Sequence, residues 1–99
     1  MIIKTINDVV NLGTIEKDRP YEAVFTLENT ANYPVSIERL VSSCGCTIPS
    51  ISQNPIAPLS SAVLTAIVQT SIGGNSIKSI NFTDHEKNKY DYYIKFNVV

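Results

Sequence analysis

Residues 90–99 read YDYYIKFNVV, and in them Tyr90, Tyr92, Ile94, Phe96 and Val98 alternate with Asp91, Tyr93, Lys95 and Asn97. Successive side chains of an extended chain point to opposite faces, so a period of two predicts a strand with one face in a core. A helix would need apolar residues recurring at steps of three and four, and no stretch of ten or more residues here has that stripe. The same alternation marks PYEAVFTLEN, where Tyr21, Ala23, Phe25 and Leu27 share a face. In SAVLTAIVQT, Ala62, Leu64, Ala66 and Val68 share one face while Val63 and Ile67 make the other partly apolar, which predicts a more central strand.

Shorter strands fit MIIKTI, VVNLGTI, PVSIERLV and SIKSINFT. Turn chemistry separates them: Gly13, the Lys17–Pro20 corner, Asn29 to Pro34, Gly45, Pro55 and Pro58, Gly73-Gly74-Asn75, and the polar run DHEKNK, which reads as a solvated hairpin loop between the last two strands. About seven short strands spaced by turns predict an all-β fold, an immunoglobulin-like antiparallel β-sandwich. There is no Trp, and the two cysteines sit too close together to bridge two sheets.

Ninety-nine residues predict one domain over residues 1–99, because two halves would each be too small to bury a core. A hydrophobic content of 43% against 17% charged residues is that of a chain that folds. The net charge is -1 and the cations are scattered, so the clustered charge that nucleic acid binding draws on is missing. The apolar runs fall far short of the ~20 residues of a membrane span. MIIKTINDVV lacks the charged and apolar regions of an export signal, so the expected location is cytoplasmic, or a virion, and periplasmic if a signal has been trimmed.

In order, NLGTI, AVFTLENTANYPVSIERLVSSCGCT and GGNSIKSINFT resemble the bacterial DUF1573 family, an immunoglobulin-like group related to ASPM/SPD-2/Hydin domains. The most specific element is Ser43-Cys44-Gly45-Cys46-Thr47. The resemblance implies an immunoglobulin-like fold, a non-enzymatic role and, for most members, export. Where the family usually carries Pro-Gly, this chain reads Pro58-Leu59, which calls for another turn geometry.

The Cys-Gly-Cys segment admits three readings. As architecture, reduced Cys44 and Cys46 pack as small apolar residues, Gly45 permits a positive φ, Thr47 resumes the extended chain, and Ser42 and Ser43 satisfy turn backbone groups. As a redox pair, the two would close a small, easily reduced ring. As a soft-metal site, two thiolates suffice for copper(I), whereas structural zinc would need ligands beyond His85, the single histidine. The architectural reading needs nothing the sequence lacks, and it predicts no metal and no cofactor.

Catalysis needs a nucleophile set against a base, a metal or paired carboxylates. A Cys44–His85 dyad is the best pairing on offer, and acidic residues are scattered, so neither an enzyme nor a small-molecule substrate is expected. Open sandwiches leave edge strands that partners use. Lys95 and the start at Pro34 are the candidate edge blockers, and Tyr33 and Tyr93 the candidate contact residues. The expected role is an accessory or decoration subunit docked on a larger assembly, with the major capsid protein of a bacteriophage as candidate partner by fold-level analogy. The alternative is a periplasmic or cell-surface binding module that uses Cys44 and Cys46.

Overall fold

The computed structural model describes residues 2–45 and 47–99, and the alternating segments are strands. Among the described residues there are eight: β1 (Ile3–Thr5), β2 (Val9–Ile15), β3 (Tyr21–Asn29), β4 (Ile37–Ser42), β5 (Thr47–Ile51), β6 (Ser61–Val68), β7 (Gly74–Asp84) and β8 (Lys89–Val98). They form two four-stranded sheets, in the orders β1-β3-β6-β5 and β2-β8-β7-β4. The expected sandwich is therefore present, with one strand more than the sequence predicts. The addition is β5, Thr-Ile-Pro-Ser-Ile, whose central proline disguises it.

Pro49 is tolerated because of where its nitrogen points. Ser52 donates its N–H to the Val63 carbonyl at 3.0 Å, which fixes Ser50 and Ile48, at alternate positions, as the residues bonded to β6. Pro49 lies between them in register opposite Ala66, so its imide nitrogen faces the outer edge, where no ladder bond is lost.

Among the described residues all strand pairings are antiparallel except one: β2 runs parallel to β8, from Val9 beside Tyr93 to Ile15 beside Val98. The chain reaches this position by leaving the first sheet after β1 and crossing to the second. A bulge between Asn11 and Gly13 bends β2 on the way; Gly13 has φ 71°, and its N–H is taken by Asn11 Oδ1 at 2.8 Å. A side chain at that φ would be strained.

The inward faces are the predicted ones. Ala23, Phe25 and Leu27 of β3, Ala62, Leu64, Ala66 and Val68 of β6, and Tyr90, Tyr92, Ile94, Phe96 and Val98 of β8 are buried. Strand β6 is interior to its sheet, as its two-faced apolar pattern predicts. Tyr92 joins the layers: its ring lies 5.2 Å from Phe25 in one sheet and 5.6 Å from Phe82 in the other. Its hydroxyl shares a 2.7 Å hydrogen bond with Thr5 Oγ1. A tyrosine is accommodated here because its ring fills the core while its oxygen reaches a polar partner at the rim.

Four expectations are corrected. Lys95 blocks no edge, because β8 is an interior strand. The turn after Pro58 places Leu59 itself in the left-handed region, φ 52°, a conformation glycine takes without steric cost. Gly45 does not take a positive φ; it is exposed, with open space where a side chain would stand. The DHEKNK loop is anchored, not simply solvated, because Asp84 is fully buried.

Candidate functional site

Three regions gather the polar and exposed residues. The first is the end of the sandwich where β3 and β7 finish. Asp84 accepts hydrogen bonds from the N–H groups of Glu86 (2.8 Å) and Asn88 (3.0 Å), from Asn88 Nδ2 (2.9 Å) and from the Tyr90 hydroxyl (2.9 Å). Burial alone would raise its pKa, but these donors outweigh it and hold the carboxyl below its ordinary value. Burial pushes the Tyr90 hydroxyl up to about 12, and the neighbouring Asp84 charge adds to the shift. Beside them, Asn29 Nδ2 donates to the carbonyls of Tyr33, Ile56 and Ala57 at 2.9–3.2 Å. Among the described residues no buried side-chain polar atom is left without a hydrogen bond, and this network fastens the loops at this end together.

Tyr33 sits over this end. It donates its hydroxyl to Glu86 Oε2 at 2.8 Å and meets the His85 ring edge-on at 6.0 Å. His85 Nδ1 in turn accepts the Ser36 N–H at 3.2 Å. Tyr33 therefore closes a loop-to-loop contact, while part of its ring stays exposed. Tyr93 points outward from the middle of β8, opposite Ser79, and is half-exposed.

The second region is the corner after β4. Ser43 bonds backbone-to-backbone with Ser79 (2.8 Å), Thr47 closes a turn onto the Cys44 carbonyl (3.1 Å), and Ser42 Oγ reaches the carbonyls of Cys44 (2.8 Å) and Thr47 (2.7 Å). The chain thereby passes from the edge of one sheet to the edge of the other. Cys44 is disulfide-bonded and part-buried, not the reduced packing residue of the architectural reading. Cys46 lies outside the described residues. His85 is not brought to Cys44: it follows the far end of β7, about 20 Å from Ser79 at the rise of an extended chain. Among the described residues no group of three or more His, Cys, Asp or Glu is placed to hold a metal ion.

The third region is the outer surface. Sequence reasoning missed that Ile48, Ile67, Val63 and Val24 lie on one outward face: Ile48 pairs with Ile67 across β5 and β6, Val24 with Thr65 and Thr26 with Val63 across β3 and β6. All four apolar side chains are exposed, Ile48 to 63%. The signal was present in the partly apolar second face of β6, but only the register shows β3 and β5 continuing it. On the other sheet, an open groove of about 710 Å³ runs over Asn11, Asn75, Ile77, Lys95 and Asn97.

A family model described as a protein of unknown function, DUF1573, matches residues 3–98. Solved structures share the fold at low identity. A protein of unknown function from Porphyromonas gingivalis W83 superposes with a TM-score of 0.82 at 10% identity, over 97% of this chain and 46% of that one. The ASH / PapD-like domain 7 of human CEP192 gives 0.82 at 11%, over 99% and 85%. The VesB protease of Vibrio cholerae gives 0.72 at 13%, over 97% and 32%. The chain thus spans less than half of the first and third of these structures and most of the second. No curated protein matches the chain.

Proposed function

We propose that the domain, which belongs to the DUF1573 family, is a non-catalytic interaction module that docks on a larger protein assembly. The observation that carries this reading is the apolar outer face formed by Val24, Ile48, Val63 and Ile67. Apolar side chains clustered on a surface are the usual mark of a contact made with another molecule.

In its finer form the assembly is a virion, the partner a major capsid protein and the domain a decoration subunit. A second reading is favoured by Cys44. A disulfide persists in oxidising compartments, so the bonded state suits a periplasmic or cell-surface module in which Cys44-Gly45-Cys46 works as a redox pair. An oxidised Cys44 has no thiolate to offer copper(I), so the copper version requires the reduced protein.

Co-sedimentation separates the two settings. The purified domain is mixed with virus particles and, in parallel, with envelope fractions from its source, and each pellet is compared with an Ile67→Lys variant. Recovery in a pellet by the native domain and not the variant supports docking through this face. A domain left in both supernatants ends the reading.

A further inference from the structure

Strand β4 stops before β7 does. The β4–β7 ladder begins at Ile37 opposite Asp84, passes Ser42 opposite Ile80 and closes with the Ser43–Ser79 bond; the chain then turns away through Cys44 towards the other sheet. Strand β7 continues for five more residues, Gly74–Lys78, and among the described residues these pair on one side only, with β8.

The direction of the free groups follows from the ladder. Ser79 exchanges bonds with Ser43, its carbonyl accepting the Ser43 N–H at 2.8 Å and its N–H meeting Ser43 Oγ at 3.0 Å, so its backbone groups point to the β4 side. Asp84, five residues on, donates instead to Asn88 on the β8 side. Backbone direction alternates along a strand. Ile77 and Asn75 therefore direct their N–H and C=O groups, like Ser79, at the open edge, spaced as one further strand would meet them. Ile77 is 62% exposed. The charged side chains on this stretch of sheet are cationic: Lys78, and Lys95 opposite Ile77; among the described residues neither forms an ion pair.

We propose that this half-open edge takes an extended segment of a protein partner, running antiparallel to β7 in line with β4, hydrogen-bonded to Asn75 and Ile77 and carrying a carboxylate opposite Lys78. Backbone donors and acceptors at strand spacing select extended polypeptide, and the paired residue next to Lys78 is close enough for charge to select its sign. The proposal rests on the interaction-module reading and names the edge used and the partner's chemistry.

The test uses two synthetic octapeptides of alternating valine and threonine, one with glutamates in place of some threonines and the other with lysines. The glutamate peptide is expected to slow amide exchange at Asn75 and Ile77, and the lysine peptide to bind about tenfold more weakly at low salt. Ile77→Pro removes an edge donor that bonds nothing among the described residues, and should lose binding about tenfold or more. Ile77→Thr keeps the donor and should retain binding. If Ile77→Pro fails to fold, a glutamate peptide N-methylated at alternate residues carries the test, because it cannot donate to the edge. Equal binding by the N-methylated peptide or by folded Ile77→Pro, or no protection of Asn75 and Ile77 by either peptide, overturns the proposal. None of these outcomes touches docking through Ile67, so the two readings fail separately.

Discussion

Tyr90 donates its phenolic hydrogen to Asp84 Oδ2 over 2.9 Å, and the same oxygen of Tyr90 accepts the Ile3 N–H at 3.2 Å. One side chain thus ties the loop after β7 to the first strand of the opposite sheet. Tyr90→Phe removes both bonds and leaves the Ile3 N–H and Asp84 each one partner short. A loss of about 1–3 kcal/mol is expected, read as a lower urea midpoint with an unchanged slope.

Asp84 makes the acid limb of the stability curve predictable. Its folded pKa lies below the ordinary 3.8, so its contribution is complete above 3.8 and is lost as pH falls through the folded value. Asp84→Asn should lower stability at neutral pH and flatten the change between about pH 5 and pH 2. Urea titrations across that range on both proteins check it; parallel curves would remove Asp84 from the account.

Tyr90 sets the opposite limb. Its hydroxyl is raised from 10.0 to about 12, so the neutral form is favoured in the folded state, and that stability is present below pH 10 and lost as pH rises towards 12. The Glu86 hydrogen bond also raises Tyr33 and burial also raises Tyr92, so an ultraviolet titration should show several tyrosines ionising above 10, and Tyr90→Phe should remove one of these late steps, the one near 12.

How much of this was legible beforehand depends on the distance over which the information acts. The core faces of β3, β6 and β8 followed from alternation alone, because burial of every second residue is a local pattern. Asp84 was not legible: within DHEKNK it looks like any solvated acid, and its burial depends on Tyr90 and Asn88 folding back onto it. Strand β5 was hidden because Pro49 reads as a breaker until the register shows its nitrogen facing outward. The half-open edge of β7 is a property of where β4 ends relative to its neighbour, which no single segment contains.

Leu59 gives a prediction in the stabilising direction. It has φ 52° and is 74% exposed, so its side chain gains little from packing while its backbone occupies a region disfavoured for branched residues. Leu59→Gly relieves that conformation and should raise stability by about 0.5–1 kcal/mol, net of glycine's greater freedom when unfolded. Thermal unfolding decides; a lower midpoint would mean that Leu59 contributes contacts outweighing the strain.

Cys44 offers a chemical check. Because it is disulfide-bonded, maleimide added to denatured protein without reductant should leave Cys44 unmodified, and prior reduction should expose it. Peptide mass mapping reads the outcome directly.

The parallel run of β2 beside β8 has a mechanical consequence. Val9 begins β2 at one end of the sandwich and Val98 finishes β8 at the other, so tension applied between the two chain ends loads their shared hydrogen bonds lengthwise, as shear, and they must yield together instead of peeling singly. Pulled between its ends in a force spectrometer, the domain should resist until a single abrupt rupture, and a proline in place of Val10 should lower that force.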